Sequence, residues 1–117
     1  MSHPVVHFEV AGKDLGKLQA FYGELFGWTY EQAGPTYGLA NTLPGRGIPG
    51  GVGSSGDGSM WATVYAKVDD VERSLAKAVA LGGSRAYGPH DVDDHMQSGA
   101  IRDPAGNLFG VYHHAPH

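Results

Sequence analysis

The period of the apolar positions changes in the same order twice along this chain. Val6, Phe8 and Val10 alternate with His7 and Glu9, the two-residue period of a strand with unlike faces. After a short turn, Leu15, Leu18, Phe21, Tyr22, Leu25 and Phe26 recur at helical spacing, with Asp14 as N-cap and Gly27 as a stop. Strands are then predicted at Trp28 to Gln32, Tyr37 to Leu43 and Ile48 to Gly53, the last after a turn containing Pro44, Gly45 and Gly47. Ser54 to Ser59 holds no apolar residue and reads as a linker. Beyond it the order repeats. Trp61 to Val68 is a strand, and Val71, Leu75, Ala78, Val79 and Leu81 mark a helix closed by Gly82-Gly83. Asp69 and Glu72 have the spacing of a capping box. Ser84 to Tyr87, Ser98 to Arg102 and Leu108 to His113 are predicted strands; Gly88 to Gln97 is a polar loop, and Asp103 to Asn107 a tight turn. Asp14-Leu15 and Asp70-Val71 open the two helices 56 residues apart, and the same offset maps His7 onto Thr63. The chain therefore reads as one domain over residues 1–117, built from module 1 (about 1–55) and module 2 (about 60–117). Paired modules of this kind usually enclose a cleft.

Composition refines this picture. Glycine supplies 19 of 117 residues, well above the ~7% of an average protein. Several fall inside predicted strands, where glycine marks bends or close backbone approach. Gly16 and Gly23 weaken the first helix by roughly 1 kcal/mol each relative to alanine, so that helix depends on packing its aromatic stripe. The formal charge is −4 and the eight Lys and Arg are scattered, which argues against nucleic acid and anionic membrane surfaces as partners. Cysteine is absent, no apolar run approaches the ~20 residues of a spanning helix, and the N-terminus lacks the pattern of a signal peptide. A cytoplasmic protein is expected.

Candidate chemistry concentrates on the first strand. His7 is either a ligand or proton carrier, or a polar group lining the interior. Glu9 shares its face and is a candidate general base, because burial raises a carboxyl pKa; Arg102 is able to pair with it instead. By strand alternation Trp61, Thr63 and Tyr65 share one face, and Leu108, Gly110 and Tyr112 share another. Pointed into a cup, those faces make an aromatic wall suited to a planar or hydrophobic ligand; otherwise they fill the interior or a subunit contact. His113, His114 and His117 read as a solvated tail. His90 and His95, with Asp91, Asp93 and Asp94, read as a charged loop before a metal site. No catalytic-triad order, phosphate-binding glycine loop or dinucleotide fingerprint is present.

The words HFEV at 7–10, FYGELFGW at 21–28, PGGVG at 49–53, KVDDVERSLAKAVALGG at 67–83 and DPAGNLFGVY at 103–112, in that order and spacing, resemble the vicinal oxygen chelate superfamily. That group includes glyoxalase I, extradiol dioxygenases and bleomycin-resistance proteins, and the variant here looks most like its small bacterial members. The resemblance implies an α+β fold of two βαβββ modules forming a cupped mixed sheet, helices outside and ligand inside. It also implies a homodimer. Metal-using members place one ligand on each of four strands, at positions matching His7, Gly51 or Gly53, Thr63 and Gly110. One of these four residues has a ligating side chain, whereas divalent metals of this class need three or four converging ligands. No metal and no cofactor are expected, and Gly51 and Gly110 are expected to widen the cup where ligands would sit.

Three functions follow. The first is a metal-free small-molecule binding protein of the glyoxalase/bleomycin resistance/dioxygenase superfamily, its ligand lined by His7, Glu9, Tyr37, Gly51, Trp61, Thr63, Tyr65, Arg102, Gly110 and Tyr112. The second is a metal-independent isomerase or lyase in which Glu9 or His7 transfers a proton on a carbonyl-bearing metabolite. The third, a metalloenzyme with a site relocated to His7 and the loop histidines, is the weakest.

Overall fold

The computed structural model describes residues 2–42 and 47–115. They form β1 (Val5–Gly12), α1 (Leu15–Phe26), β2 (Thr29–Gln32), β3 (Tyr37–Asn41), β4 (Gly50–Ser54), β5 (Trp61–Lys67), α2 (Val71–Ala80), β6 (Ser84–Asp91), β7 (Met96–Arg102) and β8 (Leu108–His114). This is strand, helix and three strands, twice over, and the class is α+β. Two compact units are built from it: residues 6–63, and residues 1–5 together with 64–117. Leu43, the turn residues Pro44 and Gly45, and His117 lie outside the described residues.

In the unit of residues 6–63 the strand order is β2-β3-β4-β1. β1 runs parallel to β4 with Glu9 opposite Gly51, and β3 is antiparallel to both β2 and β4. Asp14 caps α1 by accepting the Lys17 N–H at 3.0 Å. Gly27 ends it in the left-handed region (φ 74°), a conformation open to glycine without a Cβ penalty, and returns its N–H to the Gly23 carbonyl. α1 leans on the even face of β1 through Trp28, whose ring centre lies 5.3 Å from Phe8, 5.8 Å from Tyr22 and 5.1 Å from Phe26. The aromatic stripe, expected to pack inward, is only half used. Phe21, Leu25 and Phe26 stay more than half exposed and no α1 residue is buried, because the inward positions are taken by Leu18, over Gly12, and by Tyr22.

The second unit repeats the order as β5-β8-β7-β6, with β5 and β8 parallel. Its core joins Val68, Val71, Leu75 and Val111, with Ile101 against them. α2 is capped by Asp70, which accepts the Arg73 N–H at 2.8 Å; the capping box expected from Asp69 is displaced by one residue. The buried Val71 starts the helix, and Glu72 instead forms an ion pair with Arg85 on β6. At the other end Gly83 and Gly82 donate to the carbonyls of Ala78 and Val79, the paired bonds of a Schellman motif.

The loop expected over Gly88 to Gln97 is not a loop. β6 continues to Asp91, a turn follows, and β7 begins at Met96. The ladder slips between Tyr87 and His90, around Pro89, which has no N–H to give, and resumes with His90 opposite Ser98. His113 and His114 likewise belong to β8 rather than to a solvated tail, and the His113 Nδ1–H donates to the Val68 carbonyl at 3.0 Å.

Candidate functional site

Strand alternation places His7 and Glu9 on the face of β1 opposite the one that meets α1. Both side chains are engaged. His7 Nε2 lies 3.0 Å from Tyr37 Oη, and Glu9 Oε2 accepts the Trp61 indole N–H at 2.8 Å. The four residues come from β1, β3 and β5, yet all fall within the unit of residues 6–63. Burial pushes the His7 pKa below its usual 6.5, and the Glu9 charge only partly opposes this, so the imidazole is neutral at physiological pH. A neutral imidazole carries one donor and one acceptor nitrogen and is able to take a proton. The indole N–H fixes the Glu9 carboxylate beside an aromatic surface.

The glycines do not widen this face. A Cβ built on Gly51 would overlap the Oη and Cζ of Tyr37, and one built on Gly53 would lie 2.8 Å from Tyr37 Cδ1. The phenol lies along β4 in the space that two absent side chains leave. The other unit does the same: a Cβ at Gly110 would fall 2.5 Å from Tyr65 Cε2 and 2.8 Å from its Cγ, and Tyr65 is the register partner of Gly110. Glycine in one strand here accepts an aromatic ring from another, a pairing known to rescue glycine in sheets. The metal implied by the family resemblance therefore finds a poor fit. Of its positions, His7 holds a hydrogen bond to a phenol, Gly51, Gly53 and Gly110 lie under rings, and Thr63 offers a hydroxyl, a weak ligand for this class.

The remaining candidates divide between the units. Tyr65, Gly110 and Ala100 are in register across β5, β8 and β7, and Tyr112 faces Ser98. Ser98, a buried polar residue, bonds Tyr87 across the hairpin at 2.8 Å. Sequence reasoning missed this pair, since Tyr87 was placed at a strand end; the signal available was the alternation of Tyr87 with Arg85. Arg102 donates to the Gly106 carbonyl and braces its own turn. In the 91–96 turn Asp93 accepts the His95 N–H and Asp91 accepts from Gln97. Among the described residues no group of three or more His, Asp and Glu side chains is placed to hold a metal ion.

An open groove of about 690 Å³ lies in the same unit as His7 and Glu9, lined by Val10, Lys13, Lys17, Leu18, Met60 and Trp61 among others. Trp61 thus serves both the groove and the Glu9 hydrogen bond. A groove of this size falls within the roughly 300–1,000 Å³ of small-molecule sites.

Comparison with known proteins places these features in a lineage. Residues 7–112 match the model of the glyoxalase-like domain. Over 110 residues the chain is 32% identical to CFP32 of Mycobacterium tuberculosis, a protein provisionally named a glyoxylase; the match covers 85% of this chain and 41% of that protein. The chain thus spans about two-fifths of the length of its curated relative. Among solved structures, methylmalonyl-CoA epimerase from Mycobacterium tuberculosis superposes with a TM-score of 0.68 at 15% identity, covering 96% of this chain and 88% of that one. The Mn(II)-bound glyoxalase from Novosphingobium aromaticivorans gives 0.64 at 16% identity, covering 97% and 40%. At such identities the structures speak for the fold alone.

Proposed function

This chain belongs to the glyoxalase-like domain family, within the vicinal oxygen chelate superfamily, and from that premise we propose that it is a small-molecule binding protein whose ligand is held by hydrogen bonds and aromatic contact. The observation that carries this reading is the Glu9–Trp61 hydrogen bond, which joins the polar face of β1 to the groove. Trp61 with Met60 supplies apolar wall to the groove, whereas His7 and Glu9 present their polar groups on the face of β1 opposite the groove-lining Val10, with Tyr37 bonded to His7 there. A planar, largely apolar ligand with one or two hydrogen-bonding groups suits that combination. Binding is assigned to the cytoplasm and to a homodimer. The exposed Phe21, Leu25 and Phe26 of α1 support self-association, which light scattering on the wild type and on Leu25→Asp measures. Among the described residues no helix is long and apolar enough to cross a membrane.

The test is a ¹H–¹⁵N spectrum of the two indole N–H groups, Trp28 and Trp61, during titration with planar aromatic compounds and with any small molecule that co-purifies. A saturable shift of the Trp61 signal, with Trp28 unmoved beneath α1, supports the reading. Ligands that bind tightly without moving Trp61 overturn it.

One observation favours a second reading. His7 is kept neutral, and a neutral imidazole has one acceptor nitrogen with which to take a proton from a carbonyl-bearing metabolite, with Glu9 as the alternative base. In that case His7→Gln or Glu9→Gln abolishes turnover while ligand still binds. The metal-dependent chemistry suggested by the relatives' names is not carried over, given the poor fit of the ligand positions.

A further inference from the structure

We infer that Tyr37 is the residue that closes the chelating corner of this unit, taking both the space and the nitrogen that a metal would use. The inference rests on the geometry around β4 and does not depend on the identity of the ligand. Three observations converge. Gly51 is the register partner of Glu9, one strand over from His7, and any side chain at 51 would begin inside the Tyr37 phenol. Gly53, the next residue on that face, is also under the ring, so the phenol extends along β4 and does not merely touch it at one point. Finally the hydroxyl ends 3.0 Å from His7 Nε2, the nitrogen at the family's first ligand position. One side chain thus replaces two: it fills the place of the second ligand and it occupies the first. The consequence for recognition is that this face offers hydrogen bonds from fixed groups, and a ligand needs no pair of adjacent oxygens to bridge a metal.

Tyr37 as closure, and not as incidental packing, is testable with metal ions alone. The full chain without an affinity tag is titrated with Mn(II) and Zn(II), by calorimetry and by broadening of the His7 ring protons, for the wild type, Tyr37→Phe and the double variant Tyr37→Ala/Gly51→Glu. The double variant removes the ring and sets a carboxylate in register with Glu9 beside His7. It is expected to bind Mn(II) at least tenfold more tightly than the wild type, with His7 broadened. Wild-type His7 signals are expected to be unmoved by one equivalent. Stoichiometric binding at His7 in the wild type overturns the inference, and so does a folded double variant no tighter than the wild type. Tyr37→Phe keeps the ring and covers the case in which the double variant fails to fold. Loss of the hydroxyl removes this hydrogen bond from Nε2 and is expected to raise the rate of His7 acylation by diethylpyrocarbonate several-fold, read by peptide mass. An unchanged rate also overturns the proposal.

Discussion

Gly110→Ala offers a sharp test of the ring-over-glycine packing, because one methyl group decides between gain and loss. In an ordinary strand, replacing glycine by alanine stabilises by about 0.5–1 kcal/mol, since the unfolded chain loses freedom. Here the new Cβ meets Tyr65 at 2.5 Å from Cε2 and 2.8 Å from Cγ. The Cγ contact matters most: rotating the ring about its own axis leaves Cγ in place, so relief requires a change of rotamer or a shift of strand. Tyr65 is 9% exposed, which leaves little room for either. Overpacking of this sort costs roughly 1–3 kcal/mol, so the net change runs from about zero to a loss of about 2.5 kcal/mol. In a Tyr65→Ala background the clash is gone and the same substitution is expected to stabilise, giving a coupling of about 1–3 kcal/mol against an additivity error near 0.5. Urea titrations of the four proteins at 25 °C, followed by far-ultraviolet circular dichroism, supply the cycle. Additive effects within that error would refute the argument that Gly110 exists to seat Tyr65.

Further outcomes follow from caps, helix glycines and one histidine. Asp70→Ala is expected to cost about 1 kcal/mol and Asp69→Ala much less, because the Arg73 N–H bonds Asp70; thermal melts of the two separate the alternative caps. Gly16→Ala is expected to stabilise α1 by about 1 kcal/mol, its Cβ meeting only Asp14 Oδ1 at 3.6 Å. Gly23→Ala gains little, since its Cβ would press on the Trp28 carbonyl at 3.2 Å. His7 has a folded pKa below 6.5, so the unfolded chain takes up the proton first as pH falls. Stability from this group is therefore complete above about pH 6.5 and declines as the pH drops toward the folded value. His7→Gln is expected to flatten that part of the urea-stability profile between pH 7.5 and 5.5, and an unchanged slope contradicts the burial argument.

Local signals were legible where chain neighbours make the interaction. Asp14 and Gly27 bound α1 as their residue types suggest, because a cap is a contact across three or four residues. The same rule explains the error at α2, where two aspartates stand side by side and only the burial of Val71 chooses between them. The polar stretch after Tyr87 misled because Gly88-Pro89 reads as a break, whereas the strand steps over it through a register slip. The meaning of Gly51 and Gly110 was hidden for a deeper reason. A glycine shows what is missing, and the rings that fill the gaps come from Tyr37 and Tyr65 on other strands, in a pairing that periodicity does not contain. His7 and Glu9 were found on one face by alternation, but their partners, 30 and 52 residues away, were beyond its reach.

The way residues are shared between the compact units has a practical result. Trp61 to Thr63 count with the unit that contains Glu9, although they follow the glycine–serine linker, while Met1 to Val5 count with the other. The indole that holds Glu9 lies on the far side of that linker, and the Lys67 amide depends on the carbonyl of Pro4. Severing the chain at 55–60 would therefore not release two autonomous halves. Each fragment would leave with the other's strand end, and dissection, permutation or fusion of this protein has to be planned around that exchange.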